Sequence, residues 1–463
     1  MEPHKNMDVP IFPHLKTHIR KLFVEREPGD LRAYIAKEAV GTFLLQISST
    51  GLVLIASVIL ARLLGPTGYG TYAYAMAWVM VLFIPANLGI NNLLIREIAS
   101  YRSQSSWGLL KGVLRWGHIG VFISSLTVAL LAAGVAWFLF KTATPVALTF
   151  WIALIYLPFH SQNSVYSSAM CGLKHVVLGQ IPVNLVRPLV FLGLLSGLQL
   201  SGIIAITPTR IMGLNVIAAA VALIVGRLLL KRYTPTEVAT AQPIYTPRVW
   251  LRSMVSFIFI GGMFAVNNRA DVIMLGVLIG TEPAGVYQIA SRGAGLVTLI
   301  LMAINSPLGP AIASLHKQQD KLRLQRIVTQ SARAALIATL LLVTGLVVFR
   351  HWFMLIFGPG FIKGTTALVI LSMGQLINVA IGSVGLLLNM SGHERFSAVG
   401  VGLAALLNIV LNAAFIPVWG INGAAIATVT SMVTWNVLLA IGVHRKLNIH
   451  PTALGVIKLK KST

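Results

Sequence analysis

The sequence predicts an all-α polytopic membrane protein of about 12 transmembrane helices, arranged as two parallel six-helix lobes with pseudo-twofold symmetry along the membrane normal. Three observations predict it: the number of apolar runs, the sidedness of the cations between them, and an internal repeat. The chain has 463 residues, 56% of them hydrophobic and 10% charged, against about 25% charged in an average soluble domain. A helix that crosses a bilayer needs about 20 mainly apolar residues. Twelve such runs occur, at 38–63, 69–95, 112–139, 145–170, 176–199, 208–230, 253–279, 284–310, 327–349, 364–388, 397–416 and 421–443.

The gaps between runs justify each of them in turn. Seven Lys and Arg precede the first run, and Arg62 closes it. Four cations from Arg96 to Arg115 follow the second run, Lys141 follows the third and Lys174 the fourth. Five from Arg227 to Arg252 separate the sixth from the seventh, and five from Lys317 to Arg333 the eighth from the ninth. Arg350 and Lys363 lie between the ninth and tenth runs, Arg395 after the tenth, and five more cations end the chain. Summed by side, 28 cations face 4, with four more inside predicted spans. Cytoplasmic loops carry the excess of Lys and Arg, so both termini are expected in the cytoplasm of a multi-pass protein of the cytoplasmic (inner) membrane. The net charge of +24 is therefore read as a topology signal, and no nucleic acid partner is expected.

The first 37 residues contain no apolar core before 38, so a signal peptide is not expected. The stretch His14-Leu15-Lys16-Thr17-His18-Ile19-Arg20-Lys21-Leu22-Phe23 reads either as an amphipathic segment on anionic membrane lipids or as a basic tail. The single cysteine, Cys171, leaves no intrachain disulfide and no metal cluster.

The chain is a duplication. Gly65, Gly70, Tyr72 and Ala75 recur as Gly280, Gly285, Tyr287 and Ala290, an offset of 215 residues. Ile98-Ala99-Ser100 matches Ile312-Ala313-Ser314, and Met170-Cys171-Gly172 matches Met390-Ser391-Gly392. A repeat of six spans keeps both copies in the same sense across the membrane, with a substrate path between them. The expected organisation is a basic amino-terminal segment (1–37), an N-lobe of spans 1–6 (38–232), a cytoplasmic linker (233–247), a C-lobe of spans 7–12 (248–447) and a basic tail (448–463). Pro85, Pro158, Pro182, Pro188, Pro307 and Pro310 lie in or near spans, where they kink helices and free carbonyls.

Ionisable side chains inside the membrane carry the functional reading, because each costs about 2.5–3.5 kcal/mol on insertion scales. Arg187 lies near the middle of span five with Gln180 and Asn184, and Arg269 in span seven beside Asn267 and Asn268. Arg210 is near the end of span six and is expected to snorkel. Asp271 is the one acid well inside a span, at nearly the depth of Arg292 on the next antiparallel helix. The two are read as a buried ion pair, or as a direct substrate or ion-coupling site. An interior with surplus arginine suits an anion, since guanidinium groups grip phosphate oxygens in bidentate fashion. His160, Gln162, Asn163, Gln288, Gln375 and Asn378 add hydrogen-bonding capacity for a sugar-like group, or bridge helices. Gly65-Pro66-Thr67-Gly68-Tyr69-Gly70 sits in a short loop and lacks the lysine of a phosphate-binding loop. No carboxylate pair is available for acid–base work, so no enzymatic activity, cofactor or metal is expected.

Leu64-Gly65-Pro66-Thr67-Gly68-Tyr69-Gly70-Thr71-Tyr72 and Leu88-Gly89-Ile90-Asn91-Asn92-Leu93-Leu94-Ile95-Arg96-Glu97 resemble the opening of the polysaccharide-biosynthesis flippases of the multidrug/oligosaccharidyl-lipid/polysaccharide exporter superfamily. Arg269-Ala270-Asp271-Val272-Ile273-Met274-Leu275-Gly276, Gly285-Val286-Tyr287 and Gly420-Ile421-Asn422-Gly423-Ala424-Ala425-Ile426-Ala427-Thr428 continue the likeness over about residues 38–447. The resemblance implies a flippase that moves polyprenyl-diphosphate-linked oligosaccharide across the cytoplasmic membrane for O-antigen, capsule or exopolysaccharide assembly, alongside a polymerase and glycosyltransferases. It implies alternating access between two lobes and a cationic central cavity. Arg187 and Arg269, then Arg292, are the expected diphosphate ligands, with Asn184, Gln180, Asn268, Gln288 and His160 as neighbouring substrate-binding residues. The alternatives are a cation-coupled multidrug exporter of the same superfamily and a peptidoglycan lipid-precursor flippase.

Overall fold

The computed structural model describes residues 31–139, 144–202 and 205–455; the expected amphipathic stretch 14–23 and the tail from 456 onward lie outside the described residues. Among the described residues every regular element is helical. The amino-terminal half contains α1 (Leu31–Asn87), α2 (Ile90–Ser103), α3 (Trp107–Leu139), α4 (Pro145–Gly172), α5 (Val176–Ile181), a π-turn (Pro182–Val186), α6 (Arg187–Ser201) and α7 (Pro208–Tyr233). A short α8 (Thr236–Thr240) leads to the carboxyl-terminal half: α9 (Pro247–Leu278), α10 (Thr281–Gly295), α11 (Val297–Lys317), α12 (Lys321–Val348), α13 (Arg350–Phe357), a 3-10 turn (Pro359–Gly364), α14 (Thr365–Ile381), α15 (Val384–Met390) and α16 (Glu394–Leu447).

Backbone groups in hydrocarbon must be satisfied within the segment, and the Leu-, Ala-, Val- and Ile-rich runs do so as helices. Local signals set several of their starts. Thr144 accepts from the Ala147 N–H at 3.2 Å and Thr207 from the Arg210 N–H at 3.3 Å. Each is followed by a proline in the first helical turn, where its missing N–H costs nothing. Large apolar side chains such as Leu131, Trp137 and Phe138 on α3 face outward, as lipid-facing residues do.

Eight described helices are long and apolar enough to cross a membrane by length and composition. The protein is a multi-pass membrane protein. Runs 145–170 and 253–279 fall on α4 and α9, which are not among those eight. Two of the eight hold two runs each and double back. Val53 and Ser57 line one cavity together with Tyr72 and Met80, although a straight helix would set Val53 about 40 Å from Met80. The reversal is at Gly65, with φ 65° and ψ −179°. The expected loop at 65–70 is therefore a single-residue hinge, with Pro66 to Gly70 already helical. In α16 a Cβ on Gly423 would collide with the carbonyl oxygen of Phe415, a residue about 12 Å away along a straight helix. Gly420, at φ 55° and ψ −131°, makes that turn.

Residues matched by the repeat meet at one crossing. Gly65 and Gly280 both have positive φ. A Cβ on Gly285 would stand 2.7 Å from the Gly70 Cα, so α1 and α10 cross backbone to backbone there. Around this crossing Tyr69 meets Phe361 edge-on at 5.9 Å, and Arg62 Nε donates to the Ile356 carbonyl at 2.7 Å. These contacts join the two halves near the cation-poor loops. At the cation-rich end the segment between α7 and α9 is held against the amino-terminal half. Lys111 Nζ donates to the Ala239 and Ala241 carbonyls at 2.6 and 2.8 Å, and the Ile244 N–H to the Gly108 carbonyl at 2.9 Å. Trp250, fully buried, donates through Nε1 to the Tyr101 hydroxyl at 3.1 Å.

Candidate functional site

Five elements line one cavity of about 200 Å³ between the two halves, and three of them bring an arginine into it. Arg187 opens α6, Arg269 lies on α9 and Arg292 on α10, one turn beyond Gln288, which lines the same cavity. The opposite wall is the α1 hairpin with Asn215 of α7, whose Nδ2 donates to the Tyr72 hydroxyl at 2.5 Å. Arg187 is aimed by a local defect. The π-turn between Pro182 and Pro188 takes the Arg187 N–H back to the Pro182 carbonyl, and such bulges redirect side chains at functional sites. Arg187 Nη1 then donates to the Tyr156 hydroxyl at 2.6 Å.

Arg292 crosses between the halves. Its Nη1 donates to the Ser57 hydroxyl and to the Val53 carbonyl on α1. The ion pairs among the described residues are Arg96–Glu97, Arg323–Asp320 and Lys363–Glu282, all outside the cavity. Three guanidinium groups thus share one partly buried space without an acid among the described residues. Arginine keeps its charge there and presents a planar fork of donors, so the cavity can hold a multiply charged oxyanion.

The expected Asp271–Arg292 pair is not formed. The Asp271 carboxylate is buried and accepts from the Tyr287 hydroxyl at 2.8 Å, the Thr428 hydroxyl at 2.7 Å and Asn412 Nδ2 at 2.6 Å. Tyr287 shares α10 with Arg292 and occupies the approach to the carboxylate, while α16 closes the other side. Arg292 is left to face α1.

The other expected site residues separate. His160, Gln180 and Asn184 line a second cavity of about 120 Å³ with Ser164, Ser167 and Val183. Asn268 is exposed and lines neither cavity. Gln162 is committed to His118, through Nδ1 at 2.9 Å and the carbonyl at 2.8 Å, and Asn163 to the Ala219 carbonyl at 2.9 Å. Gln375 and Asn378 bond each other at 3.2 Å. Arg210 is exposed at the start of α7, bonded to the Ala205 carbonyl. Tyr156, Ser57 and Asn215 do not stand out in the sequence, and Tyr72 does so only as a landmark of the repeat, not as a site residue. For Tyr156 there is a signal, its place one turn before His160 on the same helical face.

The family described as polysaccharide biosynthesis protein matches residues 35–316. Among curated proteins, the probable low-salt glycan biosynthesis flippase Agl15 of Haloferax volcanii is 21% identical over 88% of this chain and 83% of its own. The probable flippase AglR of the same organism is 32% identical over a stretch that covers 36% of each chain. Among solved structures, a multidrug resistance MATE family transporter in an inward-facing conformation superposes with TM-score 0.72 at 12% identity, covering 88% of this chain and 98% of that one. The lipid II flippase MurJ, inward closed, follows with TM-score 0.66 at 13% identity over 88% and 87%. A MOP superfamily transporter from Pyrococcus furiosus, described as having a binding pocket of reverse polarity, gives 0.63 at 14% identity over 93% and 98%. These likenesses establish a MOP-type fold. By its matched family, the chain belongs to the polysaccharide biosynthesis proteins.

Proposed function

We propose that the protein flips a polyprenyl-diphosphate-linked oligosaccharide across the cytoplasmic membrane for surface polysaccharide assembly, the diphosphate lying on Arg187, Arg269 and Arg292. One observation carries the reading: three arginines without an acidic partner among the described residues share a cavity between the two halves. A cation-exporting reading is disfavoured by the same lining, which repels organic cations. The architecture we read is twelve helices in two six-helix lobes, α1 and α16 each supplying two crossings and α4 and α9 one each. The meeting of the repeat-related Gly70 and Gly285 supports it, because residues related by a twofold touch one another only at the axis. The cation excess supports cytoplasmic termini.

The geometry suggests how binding opens the path. Arg292 is held by Ser57 and Val53 of the opposite half; a diphosphate offers it charged acceptors instead and loosens that bond between the lobes. Charge-assisted hydrogen bonds are worth about 1.5–3 kcal/mol. Removing Arg187 or Arg269 therefore weakens substrate binding by about tenfold to a hundredfold. The test is a leaflet assay: cells depleted of the protein accumulate lipid-linked glycan on the cytoplasmic face, and Arg187→Ala or Arg269→Ala variants, normally inserted, restore export poorly. Unchanged lipid-linked intermediates on depletion overturn the flippase reading, and full activity of both variants overturns the arginine site.

A further inference from the structure

The second cavity differs in kind from the first. Of its six lining residues, five carry neutral hydrogen-bonding side chains: His160, Ser164 and Ser167 from α4, Gln180 from α5 and Asn184 from the π-turn. Neither a carboxylate nor a cationic Lys or Arg lines it. Much of its polar capacity is unspent. Asn184 Nδ2 reaches Gln180 Oε1 only at 3.4 Å, and Ser164 Oγ accepts from Asn91 Nδ2 at 2.7 Å. The Ser167 hydroxyl, the Gln180 amide nitrogen and the Asn184 carbonyl have no partner among the described residues. These groups face the cavity rather than being sealed in the protein, so they can meet an occupant that carries both donors and acceptors.

Its walls are fixed and it adjoins the arginines. A Cβ on Gly179 would stand 2.6 Å from the Met170 Cβ, so α5 is pinned against α4. The His160 ring stacks on Tyr156 with centroids 5.4 Å apart, the Tyr156 hydroxyl lies 3.3 Å from His160 Nδ1, and the same hydroxyl accepts from Arg187. Three side chains thus join the neutral cavity to the cationic one. Gln180 and Asn184 precede Arg187 on the way in from Lys174, which puts the neutral cavity on the cation-rich side of the arginines.

We propose that this cavity is a saccharide subsite that takes the first, uncharged pyranose of the lipid-linked glycan; it rests on the diphosphate reading above. A neutral sugar displays hydroxyl groups that both donate and accept, which matches Ser, Gln, Asn and His side chains, and it needs no countercharge. With the phosphates on Arg187, Arg269 and Arg292, the sugar next to them falls on the Tyr156–His160 side. The subsite makes the protein sense that a sugar is attached.

The test is binding by the full-length protein in lipid nanodiscs of two probes, a polyprenyl diphosphate and the same lipid carrying one neutral hexose. Gln180→Leu and Asn184→Leu should weaken the glycosylated probe about tenfold, the loss of one or two hydrogen bonds, and leave the bare diphosphate within about twofold. Arg269→Ala should weaken both. Ser167→Ala, a smaller change, should show the same selective loss should the leucine variants fail to insert. Equal effects on the two probes, or none, overturn the subsite as a cavity filled by water alone while the diphosphate site stands. A wild-type protein that binds neither probe overturns both.

Discussion

Gly285 offers a test of the crossing between α1 and α10 near the cation-poor loops. A Cβ there would stand 2.6 Å from the Pro66 carbonyl oxygen and 2.7 Å from the Gly70 Cα, where ordinary contact begins at 3.4 Å. Both obstacles are backbone, so no side chain can rotate aside. In Gly285→Ala the helices α1 and α10 must part by about 0.8 Å to reach ordinary contact, the difference between 3.4 and 2.6 Å. Overpacking of this kind costs about 1–3 kcal/mol. If the two halves relieve it by opening, the closed population falls relative to the open one by about tenfold for each 1.4 kcal/mol. The readout is labelling of a Thr71→Cys probe, in a Cys171→Ser background, by a membrane-impermeant maleimide applied from the cation-poor side. Thr71 is buried beside the crossing, so labelling should be slow in the parent and faster in Gly285→Ala. If the strain is instead absorbed as instability, Tm falls. Gly134→Ala, where a Cβ meets nothing within 4 Å, should change neither. Wild-type labelling and wild-type Tm in Gly285→Ala would refute the crossing.

Other expectations follow from single contacts. Asp271→Leu removes the shared acceptor of three donors, which keep second partners in Thr428, the Ala424 carbonyl and Asn408, and should lower stability by about 1–3 kcal/mol, with Asp271→Asn milder, read by denaturation in detergent. Trp250→Ala should cost about 3–5 kcal/mol by the same measurement. Trp250→Phe, which keeps most of the packing and loses the bond to Tyr101, should cost about 1 kcal/mol. Lys363→Ala breaks an exposed ion pair of 3.0 Å with Glu282, and its effect on stability should stay within about 1 kcal/mol.

Much of the architecture was legible because hydropathy and charge are sums along the chain. The apolar runs at 38–63 and 69–95 are marked by composition alone, and the helices follow because hydrocarbon leaves the backbone no other partner. Arginines within such runs stand out for the same reason, so Arg187, Arg269 and Arg292 could be named without coordinates. The repeat was legible because Gly70 and Gly285 each occupy a place where backbones touch, which no larger residue fills.

Partner choice was not legible. Asp271 and Arg292 have opposite charge and similar depth, yet Tyr287 and α16 take the carboxylate while Arg292 turns to Ser57. Gln162 and Gln288 look alike in sequence, but one is tied to His118 and the other faces the arginines. Division of the polar residues into a cationic cavity and a neutral one depends on the π-turn at Pro182–Val186 and on how α4 and α5 lean together. The sequence by itself determined a membrane-spanning chain with surplus cations inside its apolar runs; only the tertiary structure decided which of them share a cavity and what each one touches. The physical reason is range: hydropathy acts over some twenty residues and tolerates shifts of several, whereas a hydrogen bond is made or lost within about 1 Å and is set by helix rotation and packing.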